Sequence, residues 1–417
     1  LFRSVLIFDQ TCAAEKRRRR KRGQMHDPLQ RIMINPDVCE GCGDCSMQSS
    51  CVSIEPLETK LGRKRKINQS TCNKDYTCLK GFCPSFVSVD AQLQARTTSH
   101  KIDGLPDPKH KVSDGVSNII LTGIGGTGVL TVSAITAMAA HYEGKESTIL
   151  DMTGLAQKGG AVWSHIKIYE KNVKTFSHKI APASANLFLA CDAVVGTKPE
   201  IQEVLSDKKT YSIINSDTIP VADFVTNRDL DFKDDEVLKV IDKTTKDIDI
   251  KVPAIKIAEN LCGDAIAANI MMLGAAYQLG HIPLKEESIK YAIKLNGIGV
   301  EKNIYSFNLG RLFAFNPKDK IFKFLNSFKE KEQTTESVLK DRLERLAIYD
   351  KKEIDFFNSK VNFTKDLIKN ELETEELLKK TIKEIYRVIA VKDEYEVARM
   401  HLETSKEDRK STRLNSS

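Results

Sequence analysis

The alternation of apolar and polar positions changes character along the chain, and the changes mark out its parts. The opening run from Leu1 to Phe8 is largely apolar and reads as a strand. Gly23 and the pair Asp27-Pro28 then signal loop. Thr97, Thr98 and Ser99 lead into a polar linker containing Pro106 and Pro108, which predicts a domain boundary. Beyond it, Ser117 to Thr122 is a short β-rich run, Val129 to Ala140 an Ala-rich helical stretch, Ser147 to Asp151 a second strand and Ile166 to Tyr169 another. Residues 185–195 and 210–214 supply more helix and strand, and Gly263 to Gly280 predicts a core helix whose methionines pack. From about Pro317 the composition turns charged and helical. Leu378, Ile382, Ile385 and Ile389 recur at helical spacing as one amphipathic stripe, which Lys392 to Met400 continues. Arg409 to Ser417 is polar and patternless, a frayed or foreign tail. The succession predicts a multidomain chain, part α/β and part α+β, with a helical C-terminal segment.

At 417 residues, 41% of them hydrophobic, the chain is long enough for two or three domains with sizeable cores. The net charge of +7 is matched by one run, Lys16 to Arg22, so the basic balance is local and the remainder is close to neutral. That run suits a phosphate or acidic-partner contact, or a solvated linker. Nucleic acid is not expected, because no aromatic residue is interleaved for stacking on bases. No membrane span is expected either: the nearest apolar run, Ala265 to Leu279, is interrupted by Asn269 and Gln278. The opening on Leu1 rather than methionine suggests the middle of a longer polypeptide.

Seven of the ten cysteines fall between Cys39 and Pro84. Cys39, Cys42 and Cys45 stand at C-x-x-C-x-x-C spacing, which wraps three thiolates around one face of an iron–sulfur cube. In two-cluster ferredoxins a fourth cysteine, usually followed by proline, crosses to the other cluster. That rule assigns Cys39, Cys42, Cys45 and the crossing Cys83, followed by Pro84, to one 4Fe-4S cluster, and Cys72, Cys78 and the crossing Cys51 to a second. The second is one thiolate short, and Asp75 stands where the missing cysteine would be. A carboxylate holds iron less firmly than a thiolate, so this cluster could lose one iron, passing to 3Fe-4S, or accept an outside ligand. Cys12 competes with Asp75 for the place. Zinc ribbons come as paired C-x-x-C knuckles rather than triads, and disulfides are not expected without a secretory segment. Oxygen-sensitive clusters with free thiols at Cys191 and Cys262 point to the cytoplasm. Between the triads, the basic residues of Leu61 to Lys66 would favour a reduced cluster and attract an acidic partner, or form an exposed hairpin tip.

Gly123, Gly125, Gly126 and Gly128 between strand and helix predict a Rossmann-like phosphate turn, with Asp151 about where a dinucleotide fold keeps its ribose-binding acid. The following loop, with Gly159 and Gly160, does not look like that of a dehydrogenase. His165 is read as a packed strand residue, and no catalytic residue is assigned.

With these residues in view, the chain resembles the indolepyruvate ferredoxin oxidoreductases, in the long fused form within the 2-oxoacid:ferredoxin oxidoreductase superfamily. Four stretches carry the likeness: Asp9 to Glu15 with the basic run, Val38 to Phe86, Gly123 to Gly128 with Gln157 to Gly160, and Lys392 to Arg399. The resemblance implies that residues 1–29 end a thiamine-diphosphate domain lying upstream, 30–98 form a ferredoxin-like insert, 115–312 a catalytic γ-type α/β domain, and 317–410 an incomplete C-terminal helical domain. It further implies oxidative decarboxylation of aryl 2-oxoacids to acyl-CoA. Thiamine diphosphate and Mg would lie in the upstream domain, with coenzyme A as co-substrate and ferredoxin as acceptor, in a homo-oligomer when full-length. The glycine loops would wall the active site or touch phosphate. The fragment alone is expected to be inactive. Two other readings stay open, a stand-alone electron-transfer subunit and a nicotinamide-dependent iron–sulfur oxidoreductase.

Overall fold

The first and last strands of the cysteine-bearing stretch pair with each other. In the computed structural model of the chain, β1 (Gln30–Ile34) runs antiparallel to β4 (Phe86–Asp90), from Gln30 opposite Asp90 to Ile34 opposite Phe86. β2 (Ile54–Thr59) and β3 (Gly62–Ile67) form a hairpin between them in sequence. The described residues are 5–414, apart from 8, 10, 91–99, 103, 112–114, 155–159, 174–176, 218–226, 228, 231–233, 329–333 and 369–373. They fall into two units, one of Pro28–Ala91 with Lys329–Ser417 and one of Leu1–Asp27 with Gln92–Phe328.

The core of the first unit's N-terminal part is small. Ile34, Cys39 and Ile54 are buried, with Cys45, Cys51, Cys78, Ile67 and Phe86 against them. The basic spacer is not simply an exposed tip. Lys64 and Arg65 lie on β3 and are 5% and 1% exposed, because β3 runs against the turn at Gly41. A Cβ there would stand 2.3 Å from the Arg63 carbonyl oxygen.

Helices Thr335–Tyr349, Glu353–Leu367 and Thr374–Ile389 share a second core of Val338, Leu346, Phe357, Val361, Ile368, Leu378 and Ile382. The stripe expected from Leu378 to Ile389 is thus the buried face of the third helix. That helix does not continue through Lys392. It ends at Ile389, and a new one, Glu394–Leu414, starts where Asp393 Oδ1 accepts the Glu396 N–H at 2.8 Å, a capping arrangement that favours a fresh start over continuation. The tail read as patternless is helical as far as Leu414. Within this unit the last helix reaches the cysteine-bearing part. His401 Nε2 donates to the Pro84 carbonyl at 2.9 Å, and the Asn35 amide lies 3.2 Å from His401 Nδ1 and donates to Thr404 Oγ1 at 3.1 Å. The Arg342 guanidinium donates to the Lys60 carbonyl.

In the second unit the basic run is a helix, Ala13–Lys21, where loop or linker was expected. Lysine and arginine are good helix formers, and Glu15 pairs with Arg19 one turn on at 3.1 Å. Val5, Leu6 and Ile7 form no strand and lie exposed; a strand needs a neighbouring ladder.

The body of this unit is a six-stranded sheet in the order β10-β9-β8-β5-β7-β6, formed by β5 (Val116–Ile124), β6 (Glu146–Thr153), β7 (Ala161–Tyr169), β8 (Leu187–Ala190), β9 (Tyr211–Asn215) and β10 (Asp247–Val252). β5, β8, β9 and β10 are parallel, and β7 is antiparallel to both β5 and β6. Ile119, Leu121, Leu187, Leu189 and Ile213 face one core, while Ile120, Phe188, Ala190 and Ile214 face another. Both faces are therefore covered, as parallel strands require. On the larger face the helices Ala268–Gln278 and Val300–Phe315 cross backbone to backbone. A Cβ on Gly310 would sit 1.9 Å from the Met271 carbonyl oxygen. The proline linker is strapped to the end of the first of these helices: Gln278 Nε2 donates to the Pro106 carbonyl and the Lys111 N–H to the Gly280 carbonyl, both at 2.8 Å. Among the described residues no helix is long and apolar enough to cross a membrane.

His165 is packed in β7, 2% exposed, and accepts the Ile180 N–H on Nδ1 at 3.4 Å. Burial, reinforced by Lys179, pushes its pKa down to about 4. Below about pH 6.5 the unfolded chain binds a proton that the folded chain refuses until about pH 4, so stability falls across that window as pH drops. The loss is expected to reach up to about 3 kcal/mol. Denaturant unfolding followed by the fluorescence of Trp163, the only tryptophan in the chain and also on β7, is expected to show it, and His165→Leu to flatten it.

Candidate functional site

Two turns in the cysteine-bearing part repeat each other position by position. In the first, Asn35 Oδ1 accepts the Asp37 N–H at 3.0 Å, the Cys39 N–H donates back to the Asn35 carbonyl at 2.9 Å, and the Gly41 N–H donates to Cys39 Sγ at 3.3 Å. In the second, Asn68 Oδ1 accepts the Ser70 N–H at 3.0 Å, the Cys72 N–H donates to the Asn68 carbonyl at 3.0 Å, and the Lys74 N–H donates to Cys72 Sγ at 3.4 Å. Gly41 and Gly43 are left-handed at φ +73° and +84°, and their counterparts Lys74 and Tyr76 are left-handed at +54° and +58°. A short helix follows each turn, Asp44–Ser49 and Thr77–Lys80. Non-glycine residues in that conformation cost about 1–2 kcal/mol each. Here Tyr76 is held by its hydroxyl, which donates to the Gln30 carbonyl at 3.2 Å. The same backbone path puts Asp75 at the position that Cys42 takes in the first turn, and both are exposed.

The thiols of the two turns have different neighbours. The Cys45 thiol is pushed up to about 11 by burial and then by the nearby Cys39, Cys42 and Cys83. The Cys78 thiol is pushed up to about 12 by burial, with Cys51, Cys72 and Asp75 adding to it. Burial, Cys51 and Asp75 raise the Cys72 thiol as well. Ser85 Oγ lies 3.0 Å from Cys83 Sγ. None of the ten cysteines is disulfide-bonded. Among the described residues no three His, Cys, Asp or Glu side chains converge enough to hold a single ion. A cube makes a different demand, since each thiolate meets its own iron. The donor set fits such clusters: two groups of partly buried sulfurs, each with a backbone N–H aimed at its first sulfur, in a part whose few core side chains include cysteine. Asp75 Oδ1 accepts from the Thr77 N–H at 3.2 Å and the Thr77 hydroxyl at 2.8 Å. Cys12 is exposed and directly precedes the basic helix of the other unit.

The glycine turn divides into different tasks. Gly123 is the last residue but one of β5, and a Cβ there would stand 2.4 Å from Val129 Cγ2, so it serves helix-to-strand packing. The Gly125 N–H is committed to the Gly160 carbonyl at 2.7 Å, which ties the two glycine loops together. Gly126 and Gly128, at φ +87° and +95°, turn the chain into the helix Val129–Tyr142. Asn269, from the core helix, donates to the Thr127 carbonyl at 2.9 Å and braces the turn. Gly159 lies outside the described residues. Asp151 is on the edge strand, with β7 between it and β5, and its carboxylate accepts from Ser164 at 2.5 Å and Ser133 at 3.3 Å. In a dinucleotide fold the acid's strand lies directly beside the glycine-turn strand, and here it does not.

The site residues missed in the sequence are Asn35 and Asn68; Lys64 and Arg65 belong to the basic spacer already read beside the cluster, but their burial was not foreseen. The two asparagines had a signal: Ile34-Asn35 before Cys39 and Ile67-Asn68 before Cys72 stand at the same offset.

Residues 118–313 match the family model described as pyruvate ferredoxin/flavodoxin oxidoreductase. The chain is 27% identical over 196 residues to indolepyruvate oxidoreductase subunit IorB of Archaeoglobus fulgidus, covering 46% of this chain and 92% of that one. It is 29% identical over 214 residues to ketoisovalerate oxidoreductase subunit VorA of Methanothermobacter marburgensis, covering 51% of this chain and 39% of that one. Pyruvate oxidoreductase subunit PORC of Thermotoga maritima aligns in structure over 48% of this chain and 96% of its own, at 22% identity and a TM-score of 0.34. The family match falls on the α/β domain and lies outside the cysteine turns. Residues 118–313 thus form a domain that matches this family, and over that part the chain is similar to subunits of indolepyruvate and ketoisovalerate oxidoreductases.

Proposed function

We propose that the chain relays electrons through two iron–sulfur clusters to ferredoxin, within a cytoplasmic enzyme of indolepyruvate type that converts aryl 2-oxoacids to acyl-CoA. The first cluster is held by Cys39, Cys42, Cys45 and Cys83, the second by Cys51, Cys72, Cys78 and Asp75. The observation that carries this reading is the repeated turn, in which Lys74 and Tyr76 keep a left-handed backbone that glycine occupies in the first copy. When bound, the clusters supply one-electron storage at low potential. The chain's own contribution is to hold the sulfurs apart in two groups and to offset their negative charge with the N–H groups of Gly41 and Lys74 and the hydroxyl of Ser85. The turn at Gly126 and Gly128 would wall the active site or meet a phosphate at its helix N-terminus. Thiamine diphosphate with Mg, and the keto-acid pocket, are assigned to another part of the enzyme, with coenzyme A as co-substrate. The edge position of Asp151 disfavours the nicotinamide alternative.

Anaerobic reconstitution tests the proposal. The product is expected to be brown, with iron and sulfide in the proportion of two cubes, to accept electrons from dithionite and pass them to ferredoxin, and to leave indolepyruvate unreacted. Colourless protein that takes up zinc instead would end the relay reading. Decarboxylation by the chain alone would contradict the division of labour.

A further inference from the structure

The charges around the two sulfur groups are unlike. β3 lies against the first turn, with Arg63 O 2.3 Å and Lys64 Cα 3.9 Å from where a Gly41 Cβ would be, and its Lys64 and Arg65 are buried, at 5% and 1% exposure. The C-terminal segment adds Lys392, whose ammonium sits 2.7 Å from Glu40 and 3.3 Å from the Val38 carbonyl, beside Cys39. Arg65 has Cys45, Cys39, Arg63 and Cys42 as neighbours. Lys64 has Lys392, Glu40, Cys39 and Arg387. The carboxylates of this turn, Asp37, Glu40 and Asp44, are half-buried or exposed, so the two buried charges there, Lys64 and Arg65, are both cations. At the second turn the charges acting on Cys72 are Cys51, Asp75 and Lys74, and the last two oppose each other. The adjoining Lys66 and Glu55 pair at 3.4 Å.

A cluster that takes an electron gains one negative charge, with no bond made or broken. A buried cation beside it stabilises the reduced form, because the interior screens that attraction far less than water does. Guanidinium stays charged throughout. We infer that Arg65 and Lys64, joined by Lys392 of the C-terminal segment, hold the first site at a higher reduction potential than the second, so that a single electron entering the pair comes to rest on the first. The inference rests on the two-cluster reading and adds an order to it. It also gives the C-terminal segment a part in redox tuning, since Lys392 reaches the first turn from the break between two helices.

The test is an equilibrium redox titration of the anaerobically reconstituted full chain, poised with dithionite and mediators and followed by EPR. Cys72→Ala, which keeps the first site alone, assigns the signals. The first site is expected to be reduced first. Arg65→Met, which keeps length and removes charge, is expected to weaken the first site's hold on its electron by about tenfold, about 59 mV for one electron, with the second site moving far less. Arg65→Lys is expected to restore most of the shift. Lys392→Gln, outside the buried pair and so less exposed to folding failure, is expected to shift the first site in the same direction by a smaller factor at unchanged iron content. Reduction of the second site first, or equal shifts at both sites in Arg65→Met and Lys392→Gln, would overturn the inference while leaving two clusters standing. Failure to take up iron and sulfide would remove the two-cluster reading and the inference together.

Discussion

Stripping iron from the reconstituted chain with a chelator is expected to unfold residues 30–90 while the six-stranded sheet stays folded. The reason is the disproportion between the two cores. The cysteine-bearing part buries the apolar residues Ile32, Ile34, Val38, Cys39 and Ile54, and so few side chains offset only a small share of the entropy lost in ordering that length of chain. Metal binding then becomes folding free energy, on the order of 10 kcal/mol for structural sites. The sheet, by contrast, is covered on both faces by apolar side chains. Hydrogen exchange read by mass spectrometry separates the outcomes. Amides of β1 to β4 should lose protection when iron leaves, and those of β5 and β8 should keep theirs. Protection of β1 to β4 without iron would mean that Arg342, Lys392 and His401 secure that part without clusters.

Converting Asp75→Cys is expected to abolish the conversion of the second cluster to a three-iron form on mild oxidation. In the native chain that conversion should be easy. The carboxylate is a poorer partner for iron than a thiolate, and one of its oxygens is engaged by Thr77. Asp75→Ala is expected to yield the three-iron form outright, and Cys12→Ser to change neither cluster. EPR after brief air exposure reads all three, and a second cluster disturbed by Cys12→Ser alone would hand the eighth position to Cys12.

What the sequence disclosed and withheld follows from the range of each interaction. Cysteine spacing is local, so the two turns were legible, and so were the strand and helix on either side of the glycines. The direction of β7 was not. An apolar run looks the same whether it lies parallel or antiparallel to its neighbour, and the inserted antiparallel strand moved Asp151 to the sheet's edge. For the run from Leu61 to Lys66 the sequence left open a cluster-side reading and an exposed tip, because the burial of Lys64 and Arg65 goes with the packing of β3 against the Gly41 turn, which lies some twenty residues away in sequence. The break at Lys392 was hidden for a related reason: Val391 to Asp393 fits a helical pattern, and only the cap made by Asp393 reveals the stop. The equivalence of Asn35 and Asn68 was available in the sequence, through Ile34 and Ile67, and needed only the comparison of one triad with the other.

The pairing of Gln30 with Asp90 has an architectural consequence. A chain that leaves a segment on the strand next to the one by which it entered has travelled nowhere, and its two exits lie about 5 Å apart. A host can gain or shed such a cassette at a surface turn with a splice of a residue or two, so transplanting residues 30–90 into an unrelated scaffold should disturb the recipient's path very little.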